Sequence, residues 1–517
     1  MAGALVSIAA PAGPAANRTM ITVSSMLATV MTTLDTTIAN VALPHMAGSV
    51  SASADQITWV LTSYIIAAAI MTPVTGWLAG RFGRRRVFIT AIIGFTVASA
   101  LCGAAQSLGQ IVLFRVLQGM FGASMMPLSQ ALMLDTYPIE ERGPAMAVWG
   151  MGAMVAPIIG PVLGGWLTDD FSWRWVFYIN LPVGMLCLLG VLTFLPEDDA
   201  AHRVRFDIMG FGLLSVALAG FQLFLDRGQN NDWFSSRETI IEASTAALAF
   251  TLFIIHTVTT ERPFLPVGLL RDRNFVTASI IGLATGLLVF SVLALLPPML
   301  ESLLGYPVIT TGLVTAPRGI GSLISMFLIG RTIGKIDMRL LIFIGLSMFA
   351  ASFYGMSQFS LGMNSALVVS TGFVQGLGTG FVMMPMTMLA FSTLTPALRA
   401  DGAGVLTLVR NLGNSAGIAI MQTVFTRQVQ VVHTRLVERL TPENPMARAP
   451  YMDAPFSLSN PVGIAALNGE VTRQSAMVAY IDVFHLMFLA TIAVLPVVFL
   501  MRKPAEHVVQ DDSLVID

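Results

Sequence analysis

The chain has 517 residues, 55% of them hydrophobic and 11% charged, with 28 Lys and Arg against 29 Asp and Glu. Ordinary soluble domains carry about a quarter of charged residues, so this composition excludes a soluble globular protein and indicates an integral membrane one. A net charge of -1 without any long basic run leaves nothing to hold nucleic acid.

The first 19 residues, with prolines at 11 and 14 and no basic residue before a short apolar stretch, read as a tail and not as a cleaved signal. Apolar runs of the ~20 residues needed to cross a bilayer then follow almost without pause. They cover 20–43, 57–79, 87–107, 110–134, 143–168, 174–195, 208–226, 239–258, 275–300, 309–331, 339–359, 364–391, 402–427 and 476–500. These predict an all-α integral membrane protein of about fourteen spans, with both ends on one face. Seventeen Lys and Arg lie in the loops of that face, against eight on the other. By the positive-inside rule both termini are cytoplasmic. Cys102 and Cys187 sit within apolar runs, as small buried hydrophobes do.

Asp35, in TLDTTIANVALP, lies inside the first span, where a carboxylate is costly unless it pairs or faces water. At about 1.5 Å per residue, Asp35 lies about 13 Å and Arg115 of the fourth span about 8 Å below the outer boundary, close enough to meet. A carboxylate beside a fixed positive charge can bind and release a proton; the same two residues also fit a purely structural ion pair. Between the second and third spans, GWLAGRFGRRR opens at Gly76 and forms a tight basic loop. Gly83 permits its turn, and Arg81, Arg84, Arg85 and Arg86 can touch lipid phosphates or the carbonyl ends of helices. In the fifth span Gly152, Ala156, Gly160 and Gly164 recur every four residues, with Pro157 and Pro161 between them. That is a poor helix for water but a smooth stripe for a close membrane neighbour.

Towards the C-terminus, Arg318 in APRGIG reads as an interhelical hydrogen-bond donor, and Arg410 in LVRNLGNSAGIA as a charge facing substrate or proton. Glu301, Asp482 and His485 stand near span ends, and His256 near the inner end of the eighth span. Residues 428–475 begin as a helical continuation, VVHTRLVERL, then turn Pro-, Ala- and Ser-rich, which suits a contact surface or a flexible connector equally. An internal echo sets QGMFGASMMPLSQALMLDTYP, ending at Pro138, on QGLGTGFVMMPMTMLAFSTLTP, ending at Pro396. Many secondary transporters are built from such repeated halves, with the site between them near the midplane. Spans 1–6 and 9–14 would be the repeats, and spans 7 and 8 an insertion.

GWLAGRFGRRR resembles the major facilitator loop motif. LFRVLQG, with Arg115, Gln118 and Gly119, resembles the motif of that family's fourth helix, and APIIGPVLGG the antiporter motif of its fifth. With LDTTIANVALP, RNLGNSAGIA and two extra helices, nearly the whole chain resembles the fourteen-helix drug:proton antiporters of the EmrB/QacA type, nearer the EmrB side.

The resemblance implies a major facilitator fold of two six-helix bundles, 20–196 and 275–502, plus two additional transmembrane helices within 197–274 and tails at 1–19 and 503–517. It implies export of amphipathic or hydrophobic toxic compounds across a bacterial inner membrane by alternating access, powered by the proton gradient with no cofactor and no metal. Asp35 would carry the proton and Arg115 assist its turnover. Gly160, Pro161, Gly164 and Gly165 would limit leak by close packing where the halves meet. Substrate would contact a Met- and Phe-rich surface with polar points at Asn40, Gln118, Gln130, Gln375, Arg410, Asn411 and Asn414. Expected partners are membrane lipids, an EmrA-like periplasmic adaptor docking on the long loop, and a TolC-like outer-membrane channel. Gly80 stands where the loop motif has Asp, so the inner latch would use another pair, with Glu141 or Arg142; Ala156 replaces the first glycine of the helix-5 motif. Two rivals are an exporter of one endogenous metabolite, siderophore or lipid, and a membrane-embedded lipid-modifying enzyme. Against the enzyme, no metal-ligand cluster and no Ser/His/Asp or Cys/His set falls on one face.

Overall fold

A computed structural model describes residues 15–138, 141–197, 206–228, 231–261, 263–332, 336–395, 398–438, 440, 456 and 460–502. The tails expected at 1–19 and 503–517 and the 428–475 stretch fall wholly or partly outside these residues. Among the described residues the elements are all helical. The N-terminal group comprises α1 (Ala15–Ser49), α2 (Ala54–Ile57), α3 (Trp59–Met71), α4 (Val74–Phe82), α5 (Arg84–Ala104), α6 (Leu108–Gly122), α7 (Met125–Thr136), α8 (Arg142–Asp170), α9 (Trp175–Tyr178) and α10 (Asn180–Phe194). Next come α11 (Ile208–Gly228), α12 (Arg237–Thr259) and the short α13 (Val267–Arg271). The C-terminal group comprises α14 (Arg273–Ser302), α15 (Val308–Thr332), α16 (Met338–Met356), α17 (Ser365–Ser392), α18 (Arg399–Val437) and α19 (Pro461–Val494).

Eleven helical segments among the described residues are long and apolar enough to cross a membrane, and the pair α3–α4, bent by 56°, makes a twelfth if counted as one. The helices α8 and α18, 29 and 39 residues long, run among them. Three spans that the sequence predicts as unbroken are interrupted, the sixth only at Ile179 between α9 and α10. The second breaks at Thr72 and Pro73, because proline has no N–H to continue the ladder and its ring clashes with the preceding turn. The fourth divides into α6 and α7, with Pro127 in the first turn of the second piece, where a missing N–H costs nothing. As the VVHTRLVERL pattern predicts, α18 continues as helix to Val437, and His433 Nε2 lies 3.2 Å from Asn468 Oδ1 of α19.

The inserted helices α11 and α12 pack on each other and lean on α3. One end of the pair is clasped by Asp207, which accepts from the N–H groups of Gly210 (2.9 Å) and Phe264 (3.0 Å) and meets His256 Nε2 at 2.9 Å. Partial burial acts to raise the Asp207 pKa, but the two N–H groups and His256 outweigh it and hold the carboxyl below its ordinary value. The clasp therefore persists at neutral pH and is lost as the pH falls through that lowered value. At the other end Arg227 pairs with Glu238 and Glu242, and Asp226 accepts from Thr62 Oγ1 of α3 at 2.6 Å.

The glycine stripe of α8 faces α1. Gly152 lies against Met26, Gly160 against Thr37, and a Cβ on Gly164 would stand 3.1 Å from Ile38 Cγ2. This corrects the expectation that these glycines pack where the halves meet. The spacing requires a close neighbour, and that neighbour belongs to the same bundle. Contact with the C-terminal half runs along another flank of α8, through Gly150 on Met326 and Val162 on Gly312 of α15. Gly165 has open space around it, and the Pro161 side chain lies outside the described residues. Overpacking typically costs about 1–3 kcal/mol even where neighbours can shift. Gly160→Leu should therefore lower the yield and melting temperature of monodisperse protein in gel filtration, while Gly165→Leu should leave both near wild type.

Candidate functional site

The first and fourth spans bring Asp35 and Arg115 together. Arg115 Nη1 donates to Asp35 Oδ2 at 2.5 Å, and both side chains are fully buried. Gln118, one turn after Arg115 on α6, donates from Nε2 to Asp35 Oδ1 at 2.7 Å and accepts from Arg115 Nη1 at 2.8 Å. Asn180, the first residue of α10, adds a third donor at 3.0 Å through Nδ2, which also meets Ser99 Oγ at 3.0 Å. Arg115 Nε donates to the Val60 carbonyl at 3.0 Å, and the Tyr64 ring lies 4.2 Å from the guanidinium carbon. Three donors therefore converge on one carboxylate. A charge left alone at this depth would cost about 2.5–3.5 kcal/mol on insertion scales, so each partner secures the other.

The side chains of Asp35, Arg115, Gln118 and Asn180 are all buried. Among the described residues, Arg115 Nη2 and Asn180 Oδ1 have no hydrogen-bond partner.

At the arginine-rich end of the bundle, Gly83 takes φ +85 between α4 and α5, a conformation suited to glycine. Arg81 lies over the Trp77 ring at 5.7 Å, and Arg85 donates to Glu197 Oε1 and to the Leu192 carbonyl, each at 2.8 Å. Arg84 pairs with Asp135 at the end of α7, and Arg399 of α18 reaches the same carboxylate at 3.7 Å. Asp135 thus ties the two halves together. Gly76 abuts the Asp401 carboxylate in the first turn of α18, and a Cβ on Gly404 would stand 3.1 Å from the Thr72 carbonyl. Glu141 and Arg142, expected at the latch, also make contacts at this end. Glu141 pairs with Arg18 at 3.4 Å and Arg142 donates to the Tyr137 carbonyl at 3.1 Å, both contacts inside the N-terminal half.

The residues expected to line a substrate cavity divide. Gln118 belongs to the Asp35 cluster instead, because one helical turn after Arg115 places its amide on the same carboxylate. Gln130 is buried on α7 and Asn40 is exposed on α1. Gln375 of α17 accepts from Arg318, so Arg318 makes the interhelical contact expected of it. Arg410 Nη2 approaches Met126 Sδ of α7 at 3.3 Å, reaching across the halves, and Asn411 is half-buried beside it. Asn414 packs on Gly286 of α14. Among the weaker candidates, Asp482 accepts from Gln428 at 2.9 Å and His485 stands 5.8 Å from the Phe488 ring. Sequence reasoning missed Asn180 and Tyr64. An amide inside the apolar run YINLPVG was the available signal for Asn180, whereas nothing distinguished Tyr64 from an ordinary membrane aromatic.

The sequence profile of the Major Facilitator Superfamily matches residues 25–418. The multidrug export protein EmrB of Escherichia coli (strain K12) is 35% identical over 488 residues, which cover 94% of this chain and 95% of that protein. EmrB of Haemophilus influenzae is 36% identical over 489 residues, covering 94% and 96%. Among solved structures, the proton:xylose symporter XylE is similar in fold, with a TM-score of 0.58 at 14% identity over 92% of this chain and 95% of that one. The chain belongs to the Major Facilitator Superfamily and, within it, to the EmrB-type proteins.

Proposed function

We propose that the protein is a proton-coupled multidrug exporter that moves amphipathic or hydrophobic compounds across a bacterial inner membrane by alternating access. The observation that carries this reading is the buried Asp35–Arg115–Gln118–Asn180 cluster within a chain of this family. Protonation of Asp35 would release Arg115 from its counterion and loosen α1 from α6 and α10; deprotonation would restore the three donors. Asp35 is the proton carrier in this scheme, and Arg115 the positive charge that returns it to the ionised form. The proton gradient supplies the energy and no cofactor is needed. The stripe of α8 would transmit movement of α1, because the two backbones approach where Gly160 and Gly164 lack side chains.

In this reading α8 and α18 complete fourteen spans, and the arginine-rich end carrying Arg84–Arg86 faces the cytoplasm together with both termini. Contacts through Asp135, Gly76 and Gly404 then close the cytoplasmic side. The extended ends of α18 and α19 project on the opposite face, where a periplasmic adaptor leading to an outer-membrane channel would dock.

In proteoliposomes with an imposed pH gradient, tested against unrelated cationic, neutral and anionic lipophilic compounds, wild-type protein should transport several classes and lose that activity with an uncoupler. Asp35→Asn, with a lowered melting temperature because Arg115 loses its counterion, should still be recovered as folded membrane protein and show no gradient-driven transport; full transport by that variant would remove Asp35 from the mechanism, and activity on one class alone would favour a dedicated exporter. Removing one partner of a buried ion pair costs about 3–5 kcal/mol, so Arg115→Ala should markedly lower the melting temperature. The Arg115→Ala/Asp35→Asn double variant should recover part of that loss, because it strands no charge.

A further inference from the structure

Helix α3 lies between the Asp35 cluster and the inserted helices, and it turns a different face to each. At about 100° per residue, Val60, Tyr64 and Ala67 fall on one side of α3, and Thr62 and Ala69 on the opposite side. The first side meets α6. Val60 gives its carbonyl to Arg115 Nε, and Tyr64 lays its ring on the guanidinium. A Cβ on Gly119 would stand 2.5 Å from the Tyr64 carbonyl oxygen and 3.0 Å from Ala67 Cβ, so α3 and α6 touch backbone to backbone beside Arg115. The second side meets α11. There Ala69 packs with Leu214 and Leu218, and Thr62 Oγ1 donates to Asp226 Oδ2 at 2.6 Å.

Asp226 is placed for this contact by its own helix. Gln222, one turn earlier on α11, donates from Nε2 to Asp226 Oδ1 at 3.0 Å, so the two carboxylate oxygens are divided between Thr62 and Gln222. Among the described residues Asp226 has no ion pair, and the adjacent Arg227 is drawn to Glu238 and Glu242 of α12. Thr62 and Gln222 are buried, while part of Asp226 stays exposed. The hairpin behind it is closely packed: a Cβ on Gly220 would stand 3.1 Å from the Glu242 carbonyl oxygen, and Asp207 with His256 closes the far end. Thr62 lies within about 3 Å of helix rise of both Val60 and Tyr64. Its hydroxyl is therefore fastened at the level where α3 holds Arg115.

We infer that Asp226 is a positioning residue for the proton site: through Thr62 it fixes α3 against α6, and so keeps the Val60 carbonyl and the Tyr64 ring on Arg115. The two inserted helices thereby act on the Asp35 cluster by way of α3. A hydroxyl donating to a carboxylate makes one of the stronger hydrogen bonds, and removing it frees α3 on the hairpin side while its packing on α6 remains. The inference rests on the exporter reading for the role of the Asp35 proton, and on α3 alone for the placement of Arg115.

The two native cysteines provide the test. Cys102 is fully buried with Sγ 3.6 Å from Gln118 Oε1, whereas Cys187 is fully buried with Sγ 3.3 Å from the Ser24 carbonyl, where α10 meets α1. In the purified full chain carrying Cys187→Ser, Cys102 is the one thiol. In that background Thr62→Val and Asp226→Ala, checked by gel filtration, should each raise the rate of N-ethylmaleimide labelling about threefold or more, and Thr62→Ser should label at the parent rate. With Cys102→Ser instead, Cys187 should label at one rate in every one of these proteins. In proteoliposomes Thr62→Val should also move the pH of half-maximal gradient-driven transport by about half a unit, and Thr62→Ser should leave it in place. Unchanged Cys102 labelling in both folded variants overturns the inference, as does equal acceleration of the two cysteines, which marks general loosening. A raised Cys102 rate with an unmoved pH profile overturns it too, leaving Asp226 a purely structural residue. Normal transport by Asp35→Asn would instead defeat the proton reading, and the thiol rates would still decide whether Asp226 holds α3 in place.

Discussion

Burying the Asp35 carboxylate with the Arg115 guanidinium fixes the mutual placement of four helices in the N-terminal half. Neither charge can be left alone at that depth, so α1 and α6 must keep the pair in register, and the amides of Gln118 and Asn180 must arrive from α6 and α10 to complete the carboxylate's shell. The stacking of Tyr64 from α3 on Arg115 adds the opposite wall. The glycine stripe of α8 belongs to the same constraint. It lets a second backbone lie against α1 on either side of Asp35, at Met26, Thr37 and Ile38, so movement of the carboxylate's helix is felt along α8.

The two halves use their charges differently. The N-terminal half encloses a balanced pair, whereas in the C-terminal half Arg318 and Arg410 meet, among the described residues, an amide, a carbonyl and a sulfur. At the arginine-rich end the halves are joined by a shared carboxylate: Asp135 holds Arg84 of its own half and Arg399 of the other. The loop motif lacks its usual acid at Gly80, but Asp401 supplies a carboxylate from the opposite side, pressed against Gly76. Any side chain at Gly76 would obstruct that approach, which gives the motif's first glycine a physical role.

Much of this was legible from sequence because a bilayer punishes polar residues, and those that remain stand out. Asp35 and Arg115 were conspicuous in apolar runs, and helix rise alone put them at neighbouring depths. The all-helical membrane fold followed from run length, while the break at Pro73 and the division of the fourth span were hidden because apolar composition continues across both. Asn180 and Tyr64 went unnoticed because one amide or phenol in a span has several harmless explanations. The stripe of α8 announced a close neighbour but could not name it, since spacing carries no information about which helix arrives. The cross-half contacts of Asp135 were equally unreadable, as they depend on tertiary placement of residues more than 250 positions apart.

The central claim is that the carboxylate of Asp35 exchanges its proton against cargo. It is tested most directly by counting protons released into weakly buffered solution when purified protein binds whichever compound the proteoliposomes transport fastest. Wild type should release protons in proportion to compound bound, and Asp35→Asn should bind the compound while releasing none. Equal release by the two proteins would contradict the account and place the exchanged proton elsewhere.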